Sequence, residues 1–379
     1  MRKAGWEAGW PEIIRRLGNR DYGSNDTQGR DGGQPAGKKA DDALHKLHSR
    51  PRTAIVLIAA GAAALLFSLA LSVSFGAMDI KFRMVWEAVF HYNPGLKEHQ
   101  VIQELRLPRV LGCMLVGSSF AVAGAVMQGM TRNPLADSGL IGLNSGAAFA
   151  IALCLAFLPG LPYRYVVLLA FVGAALSAAL VFALGSSVRG GLTPTRLVLA
   201  GVTLSALLTA LSEGIALYFR IGQDLAFWFA GGVANMRWLE LKVMTPWIAL
   251  ALAGAMGLSR SITMLSLGEE VARGLGLRSG LVKGLGLAIV VVLAGSAVSA
   301  VGAVSFVGLL VPHLARKLVG VDYRWIIPTS AVLGALLVVL ADLAARTVHP
   351  PFETPIGAMI SLIGVPFFIY LANKERREL

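Results

Sequence analysis

Ionisable side chains are scarce inside the apolar segments of this sequence, and three stand out: Glu213, His313 and Asp342. None has a second one close by in sequence, so no carboxylate pair or proton-relay cluster is written there. Glu213 and Asp342 fall late in their segments, near the outer edge, where structural pairing outweighs proton relay. HExxH and GxSxG are missing, which argues against intramembrane hydrolysis. No GxxxxGK[ST] loop occurs, so the chain does not itself cleave ATP by that route. No residue is assigned as catalytic or as a metal ligand. His45 and His48 are spaced like ligands, but with no third nearby they read as part of a solvated tail. Cys113 and Cys154 form no CxxC pair and read as small apolar residues.

What remains is charge recognition. Arg106 and Arg109 lie three residues apart around Pro108, at the start of an apolar segment and on one helix face. A second candidate is the polar linker LGEEVARGLG, residues 267 to 276, which reads as a short amphipathic helix. Glu269 and Glu270 stand in its first turn, where the helix dipole favours them, and glycines end it. Any ATP-driven role needs a partner, and this linker is either its contact or an ordinary surface helix.

The elements that must position these residues follow from composition. The chain has 379 residues, 55% hydrophobic and only 15% charged, with a mean hydropathy of +0.66. Too few charges exist to coat a water-facing surface of that size, so the chain belongs in a bilayer. A spanning helix needs about 20 apolar residues, and the fold class is all-α, a polytopic membrane protein with about ten transmembrane helices. Spans are expected at about 53–76, 105–128, 138–158, 163–186, 196–218, 241–258, 284–302, 305–319, 325–345 and 355–372. The net charge of +12 does not imply nucleic acid, because the basic residues are scattered over span ends and linkers, as membrane orientation requires.

Residues 1–52 read as a disordered, basic cytoplasmic tail, with Trp6, Trp10, Ile13, Ile14 and Leu17 able to form an interfacial helix. The membrane domain is 53–379, with 261–283 as a cytoplasmic loop. Both termini are expected inside. Trp86, Phe90 and Tyr92 precede the second span, and Phe227, Trp228 and Phe229 follow the fifth, available for the outer interface. Gly117, Ala121 and Gly124 line one helix face, and Gly295, Ser299 and Gly302 repeat the spacing five spans later. An odd offset reverses direction, which fits a possible inverted five-helix repeat. Such small-residue faces let helix backbones approach closely. Asn133-Pro134 marks a turn at the inner surface.

Six ordered motifs carry a family resemblance: RLPR at 106–109, GAVMQ at 124–128, NPLAD with GLIGLNSGA at 133–147, LGEEVARGLGL at 267–277, GLLVPHLAR at 308–316, and DLAAR with ETPIG at 342–357. Together they resemble the permease subunits of the iron-siderophore, haem and cobalamin ABC importers, over roughly residues 53–379. The resemblance implies ten helices, a second permease subunit as homo- or heterodimer, two cytoplasmic ATPase subunits that use the ATP, and an extracytoplasmic substrate-binding protein. No cofactor would bind this chain directly. It places the chain in the cytoplasmic membrane of a bacterium. Arg106, Arg109 and Arg346 match positions that receive acidic residues of the binding protein, while Gly268, Glu269, Glu270, Ala272 and Gly276 fall in the helix that couples to the ATPase. Ferric siderophore is the first cargo expected, with haem or cobalamin behind it. A proton-coupled secondary transporter using Asp342 or Glu213 is the competing class.

Overall fold

The computed structural model describes residues 49–75, 80–186, 194–230, 232–234, 236–348 and 354–375. Expectations for the tail up to residue 48, the turn at Arg189, Gly190 and Gly191, the Pro350-Pro351 turn and the last four residues fall outside the described residues.

All regular structure among the described residues is helical. The first span, α1, is Pro51–Ser74, entered through Pro51, whose missing N–H costs nothing in a first turn. A short amphipathic helix, α2 (Phe82–Phe90), follows with Phe82, Trp86 and Phe90 exposed along one side. Next, α3 (Lys97–Val101) runs through a π-turn over Ile102–Arg106 into α4, Leu107–Thr131.

This continuous run is the hub of the fold. Its most apolar window is 78% buried, more than any other long apolar helix. Small residues make that burial possible. A Cβ on Gly117 would collide with the backbone of Gly334, and one on Gly124 with the backbone of Gly308. Glycine here removes the side chain that would hold two backbones apart.

At its C-terminal end α4 stops where Arg132 turns left-handed, at φ 54°. Asn133 then makes the turn: its Oδ1 accepts from the Leu135 N–H at 2.9 Å, and its carbonyl from the Ala136 N–H at 3.1 Å. Pro134 supplies the preset φ that such a turn uses. The third span was expected to be helical from residue 138. Instead Ser138–Ile141 is a single 3-10 turn, broken at Gly142 (φ 76°), and α5 covers only Leu143–Phe157.

The chain continues through α6 (Tyr163–Ser186), α7 (Pro194–Phe219) and α8 (Gly222–Ala230), the last being the expected short helix after the fifth span. Then come α9 (Trp238–Ser266), α10 (Glu269–Gly274), α11 (Ser279–Val301), α12 (Val307–Val319), α13 (Tyr323–Thr347) and α14 (Ile356–Glu375). Among the described residues, seven helices are long and apolar enough to cross a membrane, and Leu143–Phe157 and Ile356–Ile369 are shorter apolar helices. With the 13-residue α12 they correspond to the ten segments expected.

The two glycine triads share a spacing but not a local structure. Gly124 lies inside α4, whereas Gly302 closes α11 with φ 78°, a conformation that favours glycine. Gly295 faces the ring of Phe171 instead of another backbone.

The glycine contacts yield a stability test. Gly124→Leu should lower the midpoint of thermal unfolding in detergent, with a loss of at least about 1–3 kcal/mol, the usual cost of overpacking. Gly257→Leu, where an added Cβ meets open space, should leave it unchanged. Equal midpoints for the two variants would contradict close packing at Gly124.

Candidate functional site

The three arginines singled out by sequence are brought together, but they do not present themselves at the surface. Arg106 closes the π-turn, where the extra residue re-aims the following side chains. Its Nη1 donates to the carbonyls of Val73 at 2.6 Å and Ser74 at 3.0 Å, so it caps the end of α1. Those last carbonyls have no partner within their own helix and attract a cation. Only 7% of Arg106 is exposed.

Arg109 and Arg346 converge on Asp342. Arg109 Nε and Nη2 both lie 2.9 Å from Asp342 Oδ1. Arg346 Nη2 lies 2.9 Å from Oδ2, without the alignment of a hydrogen bond. Asp342 is fully buried, and the Arg109 and Arg346 side chains are 11% and 8% exposed. Arg346 also donates to the Ser72 hydroxyl and makes long contacts to the carbonyls of Asp342, at 3.4 Å, and Phe75, at 3.5 Å. The expected outward face is thus turned inward, because a buried carboxylate left without a cation is strongly destabilising. The (i, i+4) spacing of Asp342 and Arg346 was the available signal for this pairing.

On the opposite side, α10 forms a compact hook. Gly268 (φ 133°) and Gly276 (φ 83°) take backbone conformations that side chains resist, and they bracket the helix. Ala272 is fully buried and anchors it. Glu269 Oε1 accepts from Arg273 Nη2 at 2.7 Å and Ser279 Oγ at 3.2 Å, and its Oε2 from Lys283 Nζ at 2.7 Å. The bond from Lys283 is the main cause that holds its carboxyl below the ordinary glutamate range. Glu269 therefore staples α10 to the start of α11, while Glu270 stays exposed. The loop proper runs 267–278, shorter than the expected 261–283, because α9 continues to Ser266. Leu267, Val271 and Leu275 recur every fourth residue and are 46%, 47% and 54% exposed, forming an apolar ridge that sequence reading passed over.

A further network, near the C-terminal end of α4, was also missed. Buried Gln128 donates to the carbonyls of Gly308 at 3.3 Å and Leu309 at 3.2 Å. Its Oε1 accepts from Arg316 Nη2 at 3.2 Å, and Arg316 also donates to the Tyr323 hydroxyl at 2.9 Å. One amide thus ties α4 to α12, and Arg316 extends the tie to α13. A glutamine inside a run of small apolar residues was the visible signal.

Of the other candidates, His313 stacks edge-on against Phe367 at 5.9 Å, and Glu213 sits on the exposed side of α7. Cys113 and Cys154 are buried and unbridged. Among the described residues, no three His, Cys, Asp or Glu side chains are grouped to hold a metal.

Residues 64–374 match the model of the FecCD transport family. The iron(3+)-hydroxamate import system permease protein FhuB of Bacillus subtilis (strain 168) is 52% identical over 331 residues, covering 87% of this chain and 86% of that protein. The iron-uptake system permease protein FeuB of the same organism is 40% identical over 332 residues, covering 88% and 99%. A solved structure described as an inward-facing metal-chelate type ABC transporter superposes with a TM-score of 0.74 at 29% identity, covering 84% of this chain and 98% of the other. A family match over most of the length, joined to these identities, means that the chain belongs to the FecCD transport family.

Proposed function

We propose that the chain is the membrane permease subunit of an ATP-driven importer in a bacterial plasma membrane, with a ferric hydroxamate siderophore as cargo. The observation that carries this reading is the 52% identity, over nearly the whole membrane domain, to a hydroxamate import permease. Both termini lie on the cytoplasmic side in this reading.

The partners follow from surfaces that the single chain leaves open. ATP is hydrolysed by separate cytoplasmic subunits, into which α10 seats its ridge of Leu267, Val271 and Leu275. The span window of α7 is only 11% buried, and its exposed Glu213 is costly against lipid. That face suits a second permease subunit. The substrate-binding protein docks where Arg106, Arg109 and Arg346 cluster, since guanidinium forks give a carboxylate partner both attraction and register. A proton-coupled carrier is disfavoured, because the Asp342 carboxylate is engaged by both Arg109 and Arg346.

Three outcomes test the assignments. Val271→Asp should abolish association of the ATPase subunits in a pull-down from membranes, while the permease itself stays folded. Retained association would remove the ridge from the coupling contact. Glu269→Gln or substitution of Gly276 should raise the ATP hydrolysed per cargo imported, measured as the ratio of ATPase to uptake. A variant with full uptake and normally stimulated ATPase would count against the coupling role. The depressed Glu269 carboxyl means that its tie holds above the ordinary glutamate range and is lost only as pH falls through the lowered value. Lys283→Gln should therefore move the Glu269 titration up toward the usual 4.5, read by carbon NMR of labelled glutamate.

A further inference from the structure

We propose that Asp342 is an internal counter-anion for which the acidic docking partner must substitute, so that docking proceeds by carboxylate exchange at Arg346. The inference rests on the docking role proposed above and goes beyond it by naming the group that opposes docking and the arginine that moves.

The cluster is built asymmetrically. Arg109 grips Asp342 Oδ1 through two nitrogens at 2.9 Å. Arg346 reaches Oδ2 at the same distance but misaligned, so that Oδ2 has no hydrogen-bond partner. Two of its remaining contacts, to the carbonyls of Asp342 and Phe75, are long at 3.4 and 3.5 Å. Hydrogen bonds weaken steeply with such stretching and misalignment. An incoming carboxylate, able to meet the guanidinium fork with both oxygens, therefore finds in Arg346 a cation held closely by the Ser72 hydroxyl but only loosely by its other acceptors.

Departure of Arg346 would not strand Asp342, because Arg109 stays on Oδ1. The costly state, a buried carboxylate without a cation, is thereby avoided. The same movement has a structural consequence. Arg346 holds Ser72 and Phe75 at the end of α1, while Arg106 caps the carbonyls of Val73 and Ser74. Exchange at Arg346 releases the α13 hold on the last turn of α1 and leaves the α4-side cap in place. Docking is in this way transmitted to the α1–α13 contact.

The exchange predicts a gain that a merely structural aspartate cannot give. Asp342→Asn keeps the shape and removes the competing charge. In nanodiscs, it should bind the purified binding protein of the same import system, loaded with a ferric hydroxamate, roughly tenfold more tightly, with a steeper dependence on salt. Unchanged or weaker docking by folded protein would overturn the exchange. Ser72→Ala offers a second route that leaves every charge in place: it removes an internal tether of Arg346 and should also tighten docking, by a smaller factor. If Asp342→Asn does not fold, unchanged docking by Ser72→Ala overturns the proposal. Arg346→Gln separates the two claims. Normal docking by this variant removes the docking role and the exchange together, whereas impaired docking with no gain in Asp342→Asn or Ser72→Ala overturns the exchange alone.

Discussion

Close backbone contact along α4 is the constraint on which the rest depends. In a bilayer, helices gain little from burying apolar side chains against one another, so association relies on tight packing and on polar ties. Gly117 against Gly334 and Gly124 against Gly308 supply the first. Gln128, donating to carbonyls of α12, supplies the second one turn further on. Because α4 is gripped along its length, its two ends are placed relative to each other. One end carries Arg106 and Arg109; the other leads into the Asn133-Pro134 turn and the Arg316 network.

The two sides use charge differently. At the Arg106 end, a carboxylate and three guanidinium groups are withdrawn from the surface and tie α1, α4 and α13 together. At the α10 side, Glu269 is consumed in holding the hook, and the surface offered to a partner is apolar. If the arginine cluster docks a partner as proposed, exchange of its internal carboxylate would make it selective for a partner of the right sign. In the proposed coupling contact, the exposed Leu267, Val271 and Leu275 would bind by burial of apolar area and not by charge.

Much of this was legible in sequence, because span length, Gly spacing and the Asn-Pro turn are local properties. The α10 helix could be read from its acidic first turn and glycine brackets. What was not legible depended on side-chain direction. The π-turn at Ile102–Arg106 rotates the arginines relative to the face a regular helix would give, so their inward orientation has no signature in the RLPR spacing. Gly142 was quoted within a motif, yet its left-handed conformation, and the shortened α5 it causes, depend on tertiary context. Gly302 looked equivalent to Gly124 by spacing but serves as a helix terminus, since glycine fits both uses. Gln128 finds the Gly308 carbonyl and Asp342 finds Arg109 roughly 180 and 230 residues away, a distance no local pattern spans.

The central expectation is ATP-driven uptake of a ferric hydroxamate by the assembled importer. The direct measurement is accumulation of radiolabelled ferric hydroxamate in proteoliposomes that contain this chain, its partner subunits and the loaded binding protein, with no ion gradient imposed. The account predicts accumulation that requires hydrolysable ATP and is insensitive to a protonophore. Accumulation that proceeds without ATP and collapses with a proton gradient would contradict it.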